Sequence, residues 1–155
     1  MKTAFPNIAQ ILGLVDVIID DAKTLDAALG DVSVLLEREV AHYHWVGFYL
    51  VDDSQVNLIL GPYVGAPTDH TKIAFGSGVC GQVALTEMSR VIQNVDLEEN
   101  YLSCGINVRS EIVIPIKKKG RFVAELDIDS HALSPFTSND SELLEAICDR
   151  LARLF

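Results

Sequence analysis

The chain has 155 residues, of which 49% are hydrophobic, and a formal net charge of −10. This length predicts one domain over residues 1–155, with enough apolar side chains to bury a core. The negative charge argues against a nucleic-acid partner, because an acidic surface repels phosphate. No apolar run approaches the roughly 20 residues that span a bilayer, so no membrane association is expected.

The cysteines and the first residues indicate the compartment. Segment 1–10 lacks the basic and apolar pattern of a secretory signal. Three cysteines are an odd number at wide spacing, which is not a disulfide framework. We therefore expect the reducing environment of the cytoplasm.

Helices are predicted at both ends of the chain. Apolar residues recur at helical spacing over residues 8–20, and Thr24 is a candidate N-cap for a second helix that reaches about Val40. Residues 137–155 predict a closing helix, where Thr137 and Asp140 resemble a capping box.

The middle of the chain has the pattern of a sheet. β-branched and aromatic residues predict six short strands: 45–51, 56–60, 72–74, 90–93, 111–117 and 122–129. The main connections are expected to be a loop at 61–67, a short helix at 81–87 and a polar loop at 94–107. This order predicts an α+β domain. Its antiparallel sheet would carry the N- and C-terminal helices on one face and a loop-covered pocket on the other.

Alternation in the last predicted strand separates apolar from acidic side chains. One face is predicted to carry Phe122, Ala124, Leu126 and Ile128, and the other Val123, Glu125, Asp127 and Asp129. Glu111 begins the neighbouring strand. Crowded carboxyl groups raise one another's pKa, which favours a protonated acid or a cation-binding site. The alternative is a solvated sheet face.

A metal site is not predicted beside these acids. Its usual nitrogen ligands would be His42, His44, His70 and His131, and none of them has ligand spacing to the acids. His42 and His44 are expected at the surface.

The three thiols have different surroundings in the sequence. Cys148 lies among apolar residues of the closing helix and is expected to fill the core. Cys80 follows a glycine-rich turn at a predicted helix start, where the helix dipole would lower its pKa, although a small buried residue would also suit that turn. Cys104, beside Gly105 in the polar loop, is the best candidate for a nucleophile.

Five segments together resemble the free methionine-(R)-sulfoxide reductases, which are small GAF proteins. They are residues 45–50, 60–63, 78–81, 104 with 110–115, and 126–130. The resemblance runs from about Leu35 to the C-terminus. It implies a GAF fold and the reduction of free, not peptide-bound, methionine-(R)-sulfoxide.

The resemblance also implies roles for individual residues. The Cys at the position of Cys104 attacks the sulfoxide sulfur and becomes a sulfenic acid. The acids Glu111, Asp127 and Asp129 hold the substrate and assist protonation of its oxygen. Thioredoxin then supplies the reducing thiol, and no bound cofactor is needed. A homodimer is common in the family. The candidates for walls around the substrate are Trp45, Tyr49 and Tyr63.

One departure from the family pattern bears on regeneration of the catalytic thiol, beside others such as Gly105 in place of the acid that usually follows the catalytic Cys. His70 stands where the family usually carries the Cys that resolves the sulfenic acid. Three routes remain open. Cys80 resolves Cys104, or an external thiol reduces the sulfenic acid directly, or the chain keeps the pocket without turnover. The third route would make it a non-catalytic GAF module that binds a small amino-acid-like ligand.

Overall fold

The computed structural model describes residues 4–103 and 105–155, and it begins with two capped helices. Helix α1 spans Ile8–Asp21, and the side chain of Asn7 accepts a hydrogen bond from the Gln10 amide. Helix α2 spans Leu25–Glu39, and the Thr24 hydroxyl accepts from the Ala27 amide at 3.1 Å. Both predicted helices, including the Thr24 cap, are confirmed.

In the described part of the chain, six antiparallel strands form one sheet. They are β1 Trp45–Val51, β2 Asn57–Val64, β3 Lys72–Ala74, β4 Arg90–Ile92, β5 Ser110–Lys118 and β6 Arg121–Ser130. The spatial order is β3-β2-β1-β6-β5-β4, so β1 and β6, which come from distant parts of the chain, pair at the centre. The predicted antiparallel sheet is confirmed.

The two faces of the sheet are covered differently. Helices α1, α2 and α4 (Ser138–Leu151) pack on one face over a large apolar core that includes Leu36, Phe48 and Leu126. The short helix α3, Gly78–Thr86, lies on the other face over a second cluster that includes Trp45, Tyr49 and Cys80. This arrangement confirms the predicted α+β fold. No helix in the described residues has both the length and the apolar character that a bilayer crossing requires.

Two strand predictions are wrong because of irregular pairing. Strand β2 continues past Leu60 to Val64, since a register shift against β1 accommodates Gly61 and Pro62 within the strand. A second shift, between Ile116 and Lys117 of β5, leaves Val123 of β6 as the extra residue. Phe122 therefore lies on the α3 face, where its ring meets Phe75 edge-on at 6.1 Å, and Val123 packs on the opposite face.

Helix α3 begins earlier than the sequence pattern predicts, at Gly78 and not at residue 81. Gly78 adopts a φ of 65°, and an added Cβ there would approach Leu102 to 2.7 Å. Glycine thus allows both the turn and the close contact that precede the helix. Cys80 is consequently inside the first turn of α3.

A buried carboxylate joins helix α4 to the chain before β1. Asp140 is fully buried and accepts hydrogen bonds from the Thr137 amide at 2.8 Å and from the Tyr43 hydroxyl at 2.7 Å. His42 Nε2 lies 2.7 Å from the same carboxylate, so His42 is half-buried and not the surface residue that was expected. Burial alone would raise the pKa of Asp140, but these hydrogen bonds outweigh it and hold the pKa below its usual value. The predicted capping box is confirmed.

Replacing Asp140 by Ala should destabilise the protein by about 2–4 kcal/mol, because the buried Tyr43 hydroxyl and the first turn of α4 both lose their acceptor. Urea-induced unfolding followed by circular dichroism measures this change. Asn139→Ala, at an exposed position one residue earlier, is the matched control and should change stability by less than about 0.5 kcal/mol. Equal effects of the two substitutions would contradict the anchoring role of Asp140.

Candidate active site

Four carboxyl groups share one face of the central strands, on the side covered by α3. We call Glu111, Glu125, Asp127 and Asp129 the acid cluster. Glu111 of β5 pairs directly with Asp129 of β6, and Gly47 of β1 pairs with Asp127. All four residues are buried, with at most 2% of their surface exposed. The solvated sheet face, which was the alternative interpretation, is therefore wrong.

Burial without a paired cation favours the protonated forms of three of these acids. No basic side chain in residues 4–103 or 105–155 forms an ion pair with Glu111, Glu125 or Asp127. Burial raises the pKa of Glu111 and Glu125 well above the usual value, and the neighbouring charge of Asp127 adds to both effects. Burial likewise raises the pKa of Asp127 to about 6. Glu111 and Glu125 are therefore suited to donate a proton, whereas Asp127 is protonated only below about pH 6.

The carboxyl oxygens of the cluster also need hydrogen-bond donors. Both oxygens of Glu125 and of Asp127, together with Glu111 Oε2, are buried and find no partner of good hydrogen-bond geometry among the described residues. Two neighbouring carboxyl groups can satisfy such oxygens by sharing a proton, and a ligand with N–H or O–H donors, a protonated amine included, can satisfy them as well. The cluster is thus suited to bind a protonated amine or to give up a proton.

Cys80 faces the acid cluster. Its Sγ lies 3.7 Å from Glu111 Oε1. The Cys80 sulfur, one carboxylate oxygen of Glu111 and one of Asp127 all lie within 4.8 Å of one another. Burial raises the pKa of the Cys80 thiol, and the charges of Asp127, Glu125 and Glu111 raise it further. The prediction that the helix dipole lowers this pKa is wrong, because the thiol meets acids and not bulk solvent. Two oxygens and a sulfur could ligate a cation, but the expectation of no metal stays a prediction.

A cavity of about 280 Å³ opens beside Asp129. It is lined by His44, Trp45, Ala66, Pro67, Gly105, Ile106, Asn107, Val108, Asp129 and His131. The indole of Trp45 donates to the Ala66 carbonyl at 3.1 Å and stacks on the Tyr63 ring at 5.2 Å. Gly47 lies beneath the indole, where a Cβ would come within 2.5 Å of it. Trp45 therefore forms a fixed wall of the cavity.

The predicted site residues fall into three groups. Trp45 and Asp129 line the cavity, while Glu111 and Asp127 lie next to Asp129 without lining it. Tyr49 is fully buried in the second apolar cluster and donates its hydroxyl to the His70 carbonyl at 2.9 Å. Tyr63 is 36% exposed and supports the indole from behind. Contact of either tyrosine with substrate stays a prediction.

The proposed nucleophile, Cys104, lies outside the described residues. The chain on its C-terminal side, Gly105–Val108, lines the cavity. On its N-terminal side, the Ser103 carbonyl is 2.8 Å from His70 Nε2. His70 thus links the segment of residues 68–71 to the segment that carries the nucleophile.

Three residues of the site are missing from the sequence-based assignment. Glu125 was placed on the acid face but given no role, and His44 and His131 were considered only as metal ligands. His44 directly precedes β1, and His131 directly follows β6. Because β1 and β6 pair antiparallel, the start of β1 lies beside the end of β6, which brings His44 close to His131. The sequence positions of the two histidines therefore indicate their contact once the strand pairing is known.

Known proteins resemble this chain in both sequence and structure. The GAF domain family model matches residues 24–154. The free methionine-R-sulfoxide reductase of Escherichia coli K12 is 32% identical over 128 residues, which are 83% of this chain and 76% of that protein.

Two solved structures are also similar. The X-ray structure of free methionine-R-sulfoxide reductase from Neisseria meningitidis, in complex with its substrate, has a TM-score of 0.91 and 31% identity. The structural match covers 100% of this chain and 96% of the Neisseria meningitidis chain. The structure of fRMsr of Staphylococcus aureus in complex with substrate has a TM-score of 0.87 and 33% identity, covering 98% and 99%.

The raised pKa of Asp127 predicts a pH-dependent stability. A carboxyl group with a folded-state pKa of about 6 and an unfolded-state value near 3.9 stabilises the fold fully below about pH 4, and that contribution is lost as pH rises through 6. Asp127→Asn keeps the shape of the neutral acid, so it should raise the free energy of unfolding at pH 8 by on the order of 2 kcal/mol and change it little at pH 4. Urea unfolding across this pH range measures the effect.

Asp53→Asn, at an exposed position in the turn after β1, is the matched control for that experiment. It should leave the pH dependence of stability as it is in the unaltered protein. Parallel pH profiles for the unaltered protein and the Asp127→Asn protein would show that folding does not raise the pKa of Asp127 and would contradict the prediction.

Proposed function

Because this chain belongs to the free methionine-R-sulfoxide reductases of the GAF domain family, we propose that it reduces free methionine-(R)-sulfoxide to methionine with the thiol of Cys104. The observation that carries the proposal is the acid cluster, which is buried, which borders a cavity through Asp129, and in which burial raises the pKa of Glu111 well above the usual value. A sulfoxide oxygen leaves sulfur only when it is protonated. The reaction therefore requires a proton donor that lies next to this oxygen and is shielded from bulk water.

The proposed reaction transfers one oxygen atom from the substrate sulfur to the sulfur of Cys104. The Cys104 thiolate donates an electron pair to the substrate sulfur while a neutral carboxyl group of the cluster protonates the sulfoxide oxygen. The oxygen–sulfur bond of the substrate breaks, and an oxygen–sulfur bond forms on Cys104. The products are methionine and a cysteine sulfenic acid. Glu111 is the proposed proton donor, because burial raises its pKa well above the usual value, whereas a pKa of about 6 leaves Asp127 largely ionised at neutral pH.

The substrate's polar and apolar ends have different partners in the cavity. Asp129 reaches the cavity and is the proposed partner of the substrate ammonium group. The indole of Trp45 offers a flat apolar surface to the methyl and side-chain carbons, and an aromatic face also attracts a cation. Trp45 with Tyr49 and Tyr63 behind it would form the apolar side of the site.

Regeneration of Cys104 needs a second thiol. A thiol attacks the sulfenic sulfur, forms a disulfide and releases water, and a further thiol then reduces the disulfide. Cys80 is 5% exposed, and burial keeps its thiol protonated, which makes it a poor attacking group. These properties favour an external thiol over Cys80, and thioredoxin is the proposed donor. The homodimer and the cytoplasmic location stay predictions, as does the absence of a cofactor.

The first test measures turnover directly. With excess methionine-(R)-sulfoxide and dithiothreitol, the protein should form methionine, and Cys104→Ser should reduce the rate to that without protein. Cys148→Ala removes a buried thiol on the opposite face of the sheet and should retain activity. Correctly folded protein that binds the sulfoxide but forms no methionine would support the non-catalytic binding module instead.

A second test addresses regeneration. Cys80→Ser should recycle within about twofold of the unaltered protein with either dithiothreitol or thioredoxin, because a serine hydroxyl can replace the buried thiol beside Glu111. Steady-state turnover with each reductant, compared with a single turnover, separates recycling from chemistry. A variant that completes one turnover but fails to recycle would identify Cys80 as the resolving residue.

A further inference from the structure

Two histidine rings stack at the cavity beside Asp129. The imidazoles of His44 and His131 are parallel to within 6°, with centroids 4.1 Å apart. Both residues line the same cavity as Trp45 and Asp129. The proposed reduction of the sulfoxide uses neither ring, so the pair has no role in the chemistry described above.

Backbone hydrogen bonds at the strand ends hold the pair in place. The His44 amide donates to the Asp129 carbonyl at 3.0 Å, which continues the β1–β6 ladder by one residue. The His131 amide donates to His44 Nδ1 at 3.0 Å. Since Nδ1 of His44 accepts this bond, a neutral His44 ring carries its proton on Nε2.

A free amino acid creates a particular difficulty for this site. Its ammonium and carboxylate groups are attached to one carbon atom. A substrate that places its ammonium group on Asp129 therefore brings its own carboxylate close to the carboxylate of Asp129, which lines the cavity. That carboxylate is repelled unless hydrogen-bond donors lie next to Asp129.

The described cavity lining offers few such donors. Its side chains with N–H groups are those of His44, Trp45, Asn107 and His131, and the Trp45 N–H is already bonded to the Ala66 carbonyl. A neighbouring cavity of about 350 Å³ shares His131 and Asn107 and adds the exposed Arg109. Arg109 forms no ion pair with the described residues, so its positive charge contributes to the field at His131.

We propose that the stacked pair His44 and His131 binds the α-carboxylate of the substrate and thereby selects free amino acids over peptide-bound methionine sulfoxide. In a peptide the same position is an amide, which carries no charge and continues into a further residue that the cavity would have to accommodate. The proposal rests on the reductase function, since it concerns the same cavity. The pair acts on substrate binding and not on the oxygen transfer.

The test compares L-methionine-(R)-sulfoxide with its C-terminal primary amide, which lacks only the carboxylate charge. In the unaltered protein kcat/KM should favour the acid by about 10- to 100-fold, as expected for hydrogen bonds to a charged group. His131→Phe preserves a stacked ring and the backbone amide that fixes His44, but it removes the ring N–H. It should lower kcat/KM for the acid about 10-fold through KM and leave the amide unchanged.

Two further variants complete the comparison: one tests the second histidine, and the other is a control. His44→Asn keeps an acceptor for the His131 amide and should show the same selective loss. Leu133→Ala, at an exposed position two residues beyond His131, should affect neither substrate. Equal losses for acid and amide, or no loss for the acid in either histidine variant, would overturn the proposal.

Binding measurements separate this proposal from the reductase function. Calorimetric titration of Cys104→Ser protein with the acid and with the amide reports carboxylate recognition without turnover. If the unaltered protein reduces neither compound yet binds the acid more tightly, and His131→Phe removes that difference, then the reductase function fails and carboxylate binding stands. If binding does not distinguish the two compounds, carboxylate binding fails whatever the turnover.

Discussion

The burial of four carboxyl groups on one sheet face is the constraint on which the site depends. An isolated buried carboxylate is costly, and burial favours the protonated forms of Glu111 and Glu125, whose pKa values it raises well above the usual value. The same protons are what sulfoxide chemistry requires. A cluster that weakens the fold at neutral pH therefore supplies reactive acids, and the other face of the sheet supplies the compensating stability. That face carries a continuous apolar core between the sheet and helices α1, α2 and α4.

The central pair of strands contributes to both the acid-bearing face and the apolar face of the sheet. Strands β1 and β6 lie in the middle of the sheet, where each has partners on both sides and little freedom to move. Trp45 and Asp129 are directly paired across them, so the apolar wall and the acid that reaches the cavity share one rigid frame. The histidine pair is attached to the ends of the same two strands. By contrast, the segment that carries the proposed nucleophile is a loop, tied to the His70 ring through Ser103.

Much of the fold could be predicted from local patterns, and the failures have identifiable causes. The capped helices α1, α2 and α4 followed from apolar spacing with Thr24 and Thr137, because caps and periodicity are local properties. Phe122 was placed on the wrong face, since strict alternation cannot show an extra residue such as Val123 in the pairing.

The site was predictable in its residue types and less so in its physical properties. Alternation identified a shared face for Glu125, Asp127 and Asp129, but it could not show what covers that face. The covering helix α3 decides that the acids are buried and that the Cys80 pKa rises. The contact between His44 and His131 depends on the long-range pairing of β1 with β6, which no local pattern contains.

The position of Trp45 has a practical consequence. It is the single tryptophan of the chain, and its indole forms a wall of the cavity. Tryptophan emission from this protein therefore arises from one place only, and that place is where a small molecule would displace water. The chain carries its own optical probe, so occupancy of the cavity can be followed in dilute solution without any added label.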